Sequence, residues 1–307
     1  SIIFHYIIYL YFKLLKFLLY YKYNMKSVSI LTPTTINRNN FLKFVAQSIA
    51  NQDYKNIIEW IIVDGTKEGN SDLEITISEI RSIKNIPNII FFEQDLNRNN
   101  NIGALRNLLN DNAKGDIMIF FDDDDFYFDK RVSHTVNKLN ESGYDIAACS
   151  AMYIYDNDFR YLYKFNSYGP YHGLACTMGF TKNYLINNRF DDTKECAEET
   201  SFTNGFKNKL VQLDAKNVII HSSHTFNTFN KKKNIILENL HIPKDDRRCM
   251  LTPVSNSLYS FCKNKKFVKQ YLKLVNIEIT KSKYDIVYFC GLLGRQWHPN
   301  DSYLGEA

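Results

Sequence analysis

Four aspartates stand in a row at positions 122–125, within the stretch FFDDDDFY that spans 120–127. Neighbouring carboxylates repel one another, and a buried one is costly unless a positive group compensates it. Either the run lies in water or something cationic is recruited to it. In an extended segment residues two apart point to the same side, so Asp122 and Asp124 are expected on one face and Asp123 and Asp125 on the other. Hard oxygen ligands in an Asp-x-Asp spacing suit Mn2+ or Mg2+, ions that keep part of their water and bridge to phosphate oxygens. A calcium loop of the EF-hand kind does not fit. Counted from Asp122, its sixth position is Tyr127 rather than Gly and its twelfth is Ser133 rather than Glu. The alternative without chemistry is an acidic surface turn.

The elements around the run decide how it is displayed. SVSILTPTT (27–35) reads as a buried strand ending in a loop, and NNFLKFVAQSIANQ (39–52) as a helix with Phe41, Phe44, Val45 and Ile49 at helical spacing. A strand over 57–66 stops at Asp64-Gly65. A helix over 74–83, a strand over 88–95 and a helix over 102–115, closed by Gly115, follow. The fourth strand, 116–125, ends in the aspartates. These strands are continuous apolar runs, the mark of strands covered on both faces, so the fold class is α/β with a mostly parallel sheet flanked by helices. Ligands in such sheets bind beyond the carboxyl ends of the strands. Thr32, Thr34, Asp64 and the aspartate run all fall at those ends. Beyond residue 130 the pattern loosens: helices over 131–143 and 197–209, strands over 144–156, 159–165 and 210–223, and a strand passing into a helix over 174–185. This mixed half suits the binding of an acceptor.

A chain of 307 residues, 45% of them hydrophobic and 23% charged, can bury a sizeable core. The net charge of +5 is not gathered into a stripe, and the compact block Lys231-Lys232-Lys233 reads as a solvated turn, so no nucleic-acid partner is expected. The six cysteines form no Cys-x-x-Cys pair and read as scattered reduced thiols. Residues 1–24 are apolar enough for a span, but Lys13 and Lys16 fall inside them. Three readings stand open: a signal anchor, an interfacial helix with snorkelling lysines, or upstream sequence ahead of Met25 that is not part of the working protein. No small-residue cleavage site follows, so the expected location is cytoplasmic, with membrane association through residues 1–24 under the first two readings.

Seven segments between residues 27 and 230 resemble, in order, the inverting glycosyltransferase family 2 with the GT-A fold. SILTPTTINR resembles its opening strand and nucleotide loop, WIIVDGT its second strand, GALRN its Gly…Ala-Arg-Asn helix, and AKGDIMIFFDDDD its Gly-Asp strand and metal motif. CTMGFTKNYL resembles the acceptor-side segment, AEETSF the place of a Glu-Asp pair whose second member is the base, and HTFNT a late His-x-x-Asn-Thr. The resemblance implies a GT-A domain over 25–230 that moves a sugar from a nucleoside-diphosphate sugar, uridine-linked by first expectation, to a hydroxyl of a glycan, protein or lipid acceptor. It implies nucleotide-sugar contacts from Thr32, Pro33, Thr34, Arg38, Asp64, Arg106, Asp122 and Asp123, with Asp64 facing the base. It implies acceptor contacts from Glu198, Met178 and Gly179, and a metal held by Asp124, Asp122 and His224, with His221 as rival to His224. Glu199 takes the place of the catalytic base. It is one methylene longer than the usual Asp, and VDGT has one Asp where the family often has two.

Two rivals belong to other classes. A sugar-nucleotide nucleotidyltransferase needs a Gly-rich loop after the first strand, and LTPTTINRNN has no glycine. A non-catalytic sugar-binding scaffold would not need the metal aspartates, which are present. Residues 231–283 read as a helical extension containing a basic amphipathic helix over 258–275, its apolar face more suited to packing than to a membrane. Residues 284–307 resemble the opening of a second, GT-B-type glycosyltransferase domain, cut short.

Overall fold

The computed structural model describes residues 25–224 without a break, and beyond them 6, 7, 11, 13, 227, 232–237, 239, 250–262 and 264–276. The expectations for the N-terminal segment as a whole and for residues 284–307 lie outside the described residues. Among the described residues no helix is long and apolar enough to cross a membrane.

Strands β1 (Val28–Thr34), β2 (Ile57–Asp64), β3 (Asn88–Phe92) and β4 (Ile117–Phe120) run parallel in the order β3-β2-β1-β4. The short β5 (Phe126–Tyr127) follows β4 but belongs elsewhere. The sheet is completed by β6 (Ile146–Ala148), β9 (Gly179–Thr181) and β10 (Val211–Gln212), with β9 antiparallel to both β4 and β6. Both faces of the parallel part are covered. Val28, Ile30, Trp60, Ile62, Ile117 and Ile119 join one core cluster, and Leu31, Ile61, Val63, Met118 and Phe120 join the other. That two-sided burial is why these strands read as unbroken apolar runs.

Helices α1 (Asn39–Ala50), α2 (Leu73–Arg81) and α4 (Arg131–Ser142) supply the first cluster with Phe41, Leu42, Val45, Ile77 and Val132. Helix α3 (Ile102–Asn112) supplies Leu105 and Leu109 to the second. A five-stranded sheet stands beside the first in the order β12-β8-β7-β11-β5, built from β7 (Met152–Asp156), β8 (Tyr161–Phe165), β11 (Ile219–Ser223) and β12 (Leu251–Ser255).

Two segments that read as single strands are each divided between the sheets. Residues 144–156 become β6 and β7, and residues 210–223 become β10 and β11. The helix expected over 197–209 shrinks to α6 (Glu199–Phe202), after α5 (Lys182–Leu185). The boundary expected at residue 230 does not divide the packing. β12 pairs antiparallel with β8, and the last described helix, Lys265–Asn276, stacks Phe267 on Phe44 at 4.4 Å between ring centroids. The basic helix expected over 258–275 is divided into Leu258–Phe261 and Lys265–Asn276, and the apolar face of the second, with Phe267, Val268 and Tyr271, is a packing face.

Gly103 shows how tightly α3 is docked. A Cβ there would fall 2.0 Å from the carbonyl oxygen of Asp191. The Gly103 N–H also donates to the Lys194 carbonyl at 3.2 Å. Within a helix Gly→Ala normally stabilises by about 1 kcal/mol. Gly103→Ala should instead destabilise by about 1–3 kcal/mol, because a backbone carbonyl rather than a flexible side chain must move. Urea titration reads the sign directly; a gain in stability would mean that the 191–194 segment does not sit against α3.

Candidate active site

The carboxyl ends of β1, β2 and β4 bring together Thr34, Asp64 and the aspartate run, with Thr34 the register partner of Asp64. The run is not extended. β4 stops at Phe120, and residues 123–124 form a turn before β5. The expected two-face alternation is replaced by four carboxylates aimed at different partners. Asp122 receives both ends of the Arg106 guanidinium, at 3.1 and 3.2 Å. Asp123 accepts from Thr34 Oγ1 at 2.6 Å and lies 3.6 Å from Arg38 Nη1. Asp124 pairs with Arg38, accepts from Asn227 Nδ2 at 2.8 Å and lies 3.4 Å from His224 Nε2. Asp125 accepts from the Ser222 N–H at 2.9 Å and faces His221 Nδ1 at 3.0 Å. Asp122 is the most open, with 26% of its side chain accessible against 9–10% for Asp123 and Asp124 and 1% for Asp125.

Burial is what makes these pairings necessary. It pushes Asp123 up to about 7, with Arg38 opposing and Asp124 adding to the rise. Burial also raises Asp122, against the pull of Arg106. For Arg38 and Arg106, burial alone would lower the pKa. The aspartates around them outweigh it, joined by Glu198 at Arg106, and hold both guanidiniums firmly charged.

Arg106 joins the two acidic segments. While its fork holds Asp122, its Nε donates to Glu198 Oε1 at 2.7 Å, and the guanidinium lies over the Phe120 ring at 4.6 Å. The neighbouring residues of GALRN dock the approach to Glu198. The Asn107 side chain accepts from the Phe190 N–H at 3.1 Å and donates to the Phe190 carbonyl at 2.8 Å. Phe190 stacks on Phe202 of α6 at 4.0 Å between centroids. Glu198 holds the cation, and Glu199 stands next to it as the second member of an acidic pair. Burial first, and the Glu198 charge second, push it up to about 7.

Several expected contacts are arranged otherwise. Thr32 is fully buried; it accepts from Trp60 Nε1 at 2.9 Å and donates to the Phe121 carbonyl at 2.6 Å, which ties β1 to its neighbours. Asp64 is also fully buried and turned into its own loop, accepting from the Thr66 N–H and Oγ1 at 2.9 and 2.6 Å and from Ser71 Oγ. Pro33 lies inside β1. Met178 is fully buried and packed with the Phe120 cluster, and Gly179 pairs with Ile119 and Ala147 inside the sheet, so neither is displayed toward an acceptor. Glu198 is committed to Arg106. His224 stacks on Phe41 at 4.5 Å, and both it and its rival His221 reach the aspartate run. Asn227, within the quoted HTFNT, had no role assigned. Nor did Arg131, whose buried guanidinium donates to the Thr177 and Met178 carbonyls at 2.7 and 3.1 Å. An arginine in the first turn of an amphipathic helix reads as solvated, so pattern offered no sign of it.

The donor set suits a hard divalent cation: aspartate oxygens and one imidazole around a turn whose negative charge two arginines do not fully balance. Among the described residues, however, the one group of three ligating side chains already within 4.8 Å is Asp125, Cys176 and His221, rather than Asp122, Asp124 and His224.

The family model for glycosyl transferase family 2 matches residues 29–212. Among solved structures, Staphylococcus aureus TarS 1–349 is similar at 21% identity over 64% of this chain and 60% of that one, with a TM-score of 0.51. The same fragment in complex with UDP-GlcNAc matches at 21% identity over 66% and 60%, also at 0.51. The mannosyltransferase PcManGT from Pyrobaculum calidifontis, in complex with GDP-Man and Mn2+, matches at 10% identity over 87% of this chain and 79% of that one, at 0.52. At these identities the likeness is one of fold, the GT-A arrangement. The chain spans 60% of the TarS fragment and 36% of the longer TarS structure. No curated protein matches the chain by sequence.

The raised Glu199 pKa has a consequence for stability. Its folded value of about 7 lies above the ordinary 4.5, so the native state holds a proton that the unfolded chain gives up, and stability falls as pH rises through that window. Glu199→Gln removes this penalty. The variant should exceed the wild type by roughly 1–3 kcal/mol at pH 8 and match it near pH 4. Chemical denaturation at the two pH values tests this; equal stability at both would show that Glu199 titrates normally.

Proposed function

The chain belongs to glycosyl transferase family 2, and from that premise we propose that it is an inverting glycosyltransferase, moving a sugar from a nucleoside-diphosphate sugar to an acceptor hydroxyl. The observation that carries the reading is the single buried guanidinium that ties the acidic turn to the Glu198–Glu199 pair while leaving Glu199 near neutrality. A carboxyl titrating near 7 is matched to removing a proton from an alcohol at physiological pH. Glu199 draws the acceptor hydroxyl proton onto its carboxylate. The oxygen forms its bond to the anomeric carbon from the face opposite the diphosphate, whose bond to that carbon breaks, and the configuration inverts.

Arg38 and Arg106 oppose the burial that raises Asp123 and Asp122 and fix the turn's carboxylates in direction. Asp122, the most open of the four, and Asp124 with His224 are the side chains that would hold Mn2+ or Mg2+. When bound, such an ion supplies positive charge to the donor's diphosphate as negative charge collects there. The complexes of TarS with UDP-GlcNAc and of PcManGT with GDP-Man and Mn2+ support a nucleotide-sugar donor and a divalent cation for this chain too. A uridine-linked donor remains the first to try, with a glycan, protein or lipid as acceptor.

A panel of UDP- and GDP-sugars, with Mn2+ and with EDTA, should give nucleoside diphosphate release that EDTA abolishes. Glu199→Gln should lower turnover about 10^2- to 10^4-fold while leaving nucleotide affinity unchanged. Near-normal turnover in that variant would place the base elsewhere. Nucleotide-sugar binding with no release under any condition would make the chain a scaffold rather than an enzyme.

A further inference from the structure

One cluster outside the donor-facing groups carries a different chemistry. Cys176 lies in the 3-10 turn Ala175–Thr177 just ahead of β9, His221 on β11, and Asp125 at the end of the acidic turn. Both Asp125 oxygens are engaged, one by the Ser222 N–H and the other by His221 Nδ1 at 3.0 Å. With Nδ1 held by the carboxylate, Nε2 faces Cys176 Sγ at 3.8 Å. Carboxylate, imidazole and thiol in that order are the arrangement in which an imidazole takes a thiol proton and the carboxylate fixes the ring.

A second observation comes from the other side of the thiol. Arg131 is fully buried, and its guanidinium donates to the carbonyls of Thr177 and Met178, the residues that follow Cys176. Burial lowers the pKa of Arg131, and Cys149, Tyr127 and Cys176 oppose that fall. A buried cation thus holds the turn that carries the thiol. A resident metal is the poorer reading of the same trio, because both Asp125 oxygens already accept hydrogen bonds and the three side chains fall one short of the four ligands of a closed site.

We propose that Cys176 is a nucleophilic thiol and a modification site that takes hydrogen peroxide, with His221 as its base and Asp125 as the positioning residue. His221 Nε2 accepts the thiol proton. The thiolate sulfur then attacks one peroxide oxygen, the O–O bond breaks, and the departing hydroxide leaves as water with the proton from His221. Sulfur is oxidised to the sulfenic acid and the peroxide is reduced to water. This reading does not depend on the glycosyl-transfer assignment.

Cys196 is exposed whereas Cys176 is only partly so, which makes Cys196 an internal control: accessibility alone ranks it as the faster thiol. Peptide mapping of the full chain after brief treatment with iodoacetamide at pH 7 should show Cys176 labelled about tenfold faster than Cys196. Hydrogen peroxide followed by dimedone should mark Cys176 and spare Cys196. His221→Gln and Asp125→Asn should each bring Cys176 down to the Cys196 rate or below. Slower labelling of Cys176 than of Cys196 in the wild type overturns the proposal, whether or not the variants fold. So would stoichiometric zinc that blocks labelling until chelated.

Discussion

The candidate site depends on one buried guanidinium. Arg106 is 3% exposed, and its planar fork spans two carboxylates from segments 76 residues apart in the chain, Asp122 and Glu198. Three donor nitrogens are used, and the ring of Phe120 covers the cation's face. A lysine in its place would carry the charge but could not hold two carboxylates at fixed angles. The electrostatic consequence reaches one residue further. Burial raises Glu199 toward neutrality, the neighbouring Glu198 charge adds to the rise and Arg106 opposes it, so the same group of charges bears on the proton affinity of the side chain proposed as base.

The acidic turn follows the same logic. Four adjacent aspartates would be untenable on one face. The turn directs them to α3, to the end of β1, to Arg38 and to β11, so each like-charge neighbour is offset by a separate donor. Asp125 is the most buried and is bonded to the second sheet, whereas Asp122 is the most open. The run therefore grades from a buried end to an open end within four residues. His221 and His224, three positions apart, meet Asp125 and Asp124 respectively.

The second sheet makes this possible. β5 emerges directly from the acidic turn and pairs with β11, so the turn is clamped between two sheets. β12 and the terminal aromatic helix complete that half, with Phe267 and Tyr271 against Phe44 and Phe126. The chain passes between sheets at residues 149–151 and 213–218, where it had read as continuous strand. Burial continues through Cys149 and Ser150 at the first crossing, whereas the exposed Asp214 and Lys216 interrupt the second, a break that a single strand over 210–223 passes over.

What the residues alone determined was whatever rests on local pattern: four parallel strands from continuous apolar runs, the helices between them, and the aspartates at a strand end where ligands collect. The family resemblance was legible too, because its motifs are short and ordered along the chain. The tertiary structure alone decided the partners. Thr32, Asp64, Met178 and Gly179 turned inward, Arg106 chose Glu198 over Glu199, and Cys176 met a histidine 45 residues away. Side-chain direction at a strand's end follows from which donors the rest of the chain brings within about 3 Å. Those contacts span dozens of residues, and no local pattern encodes them.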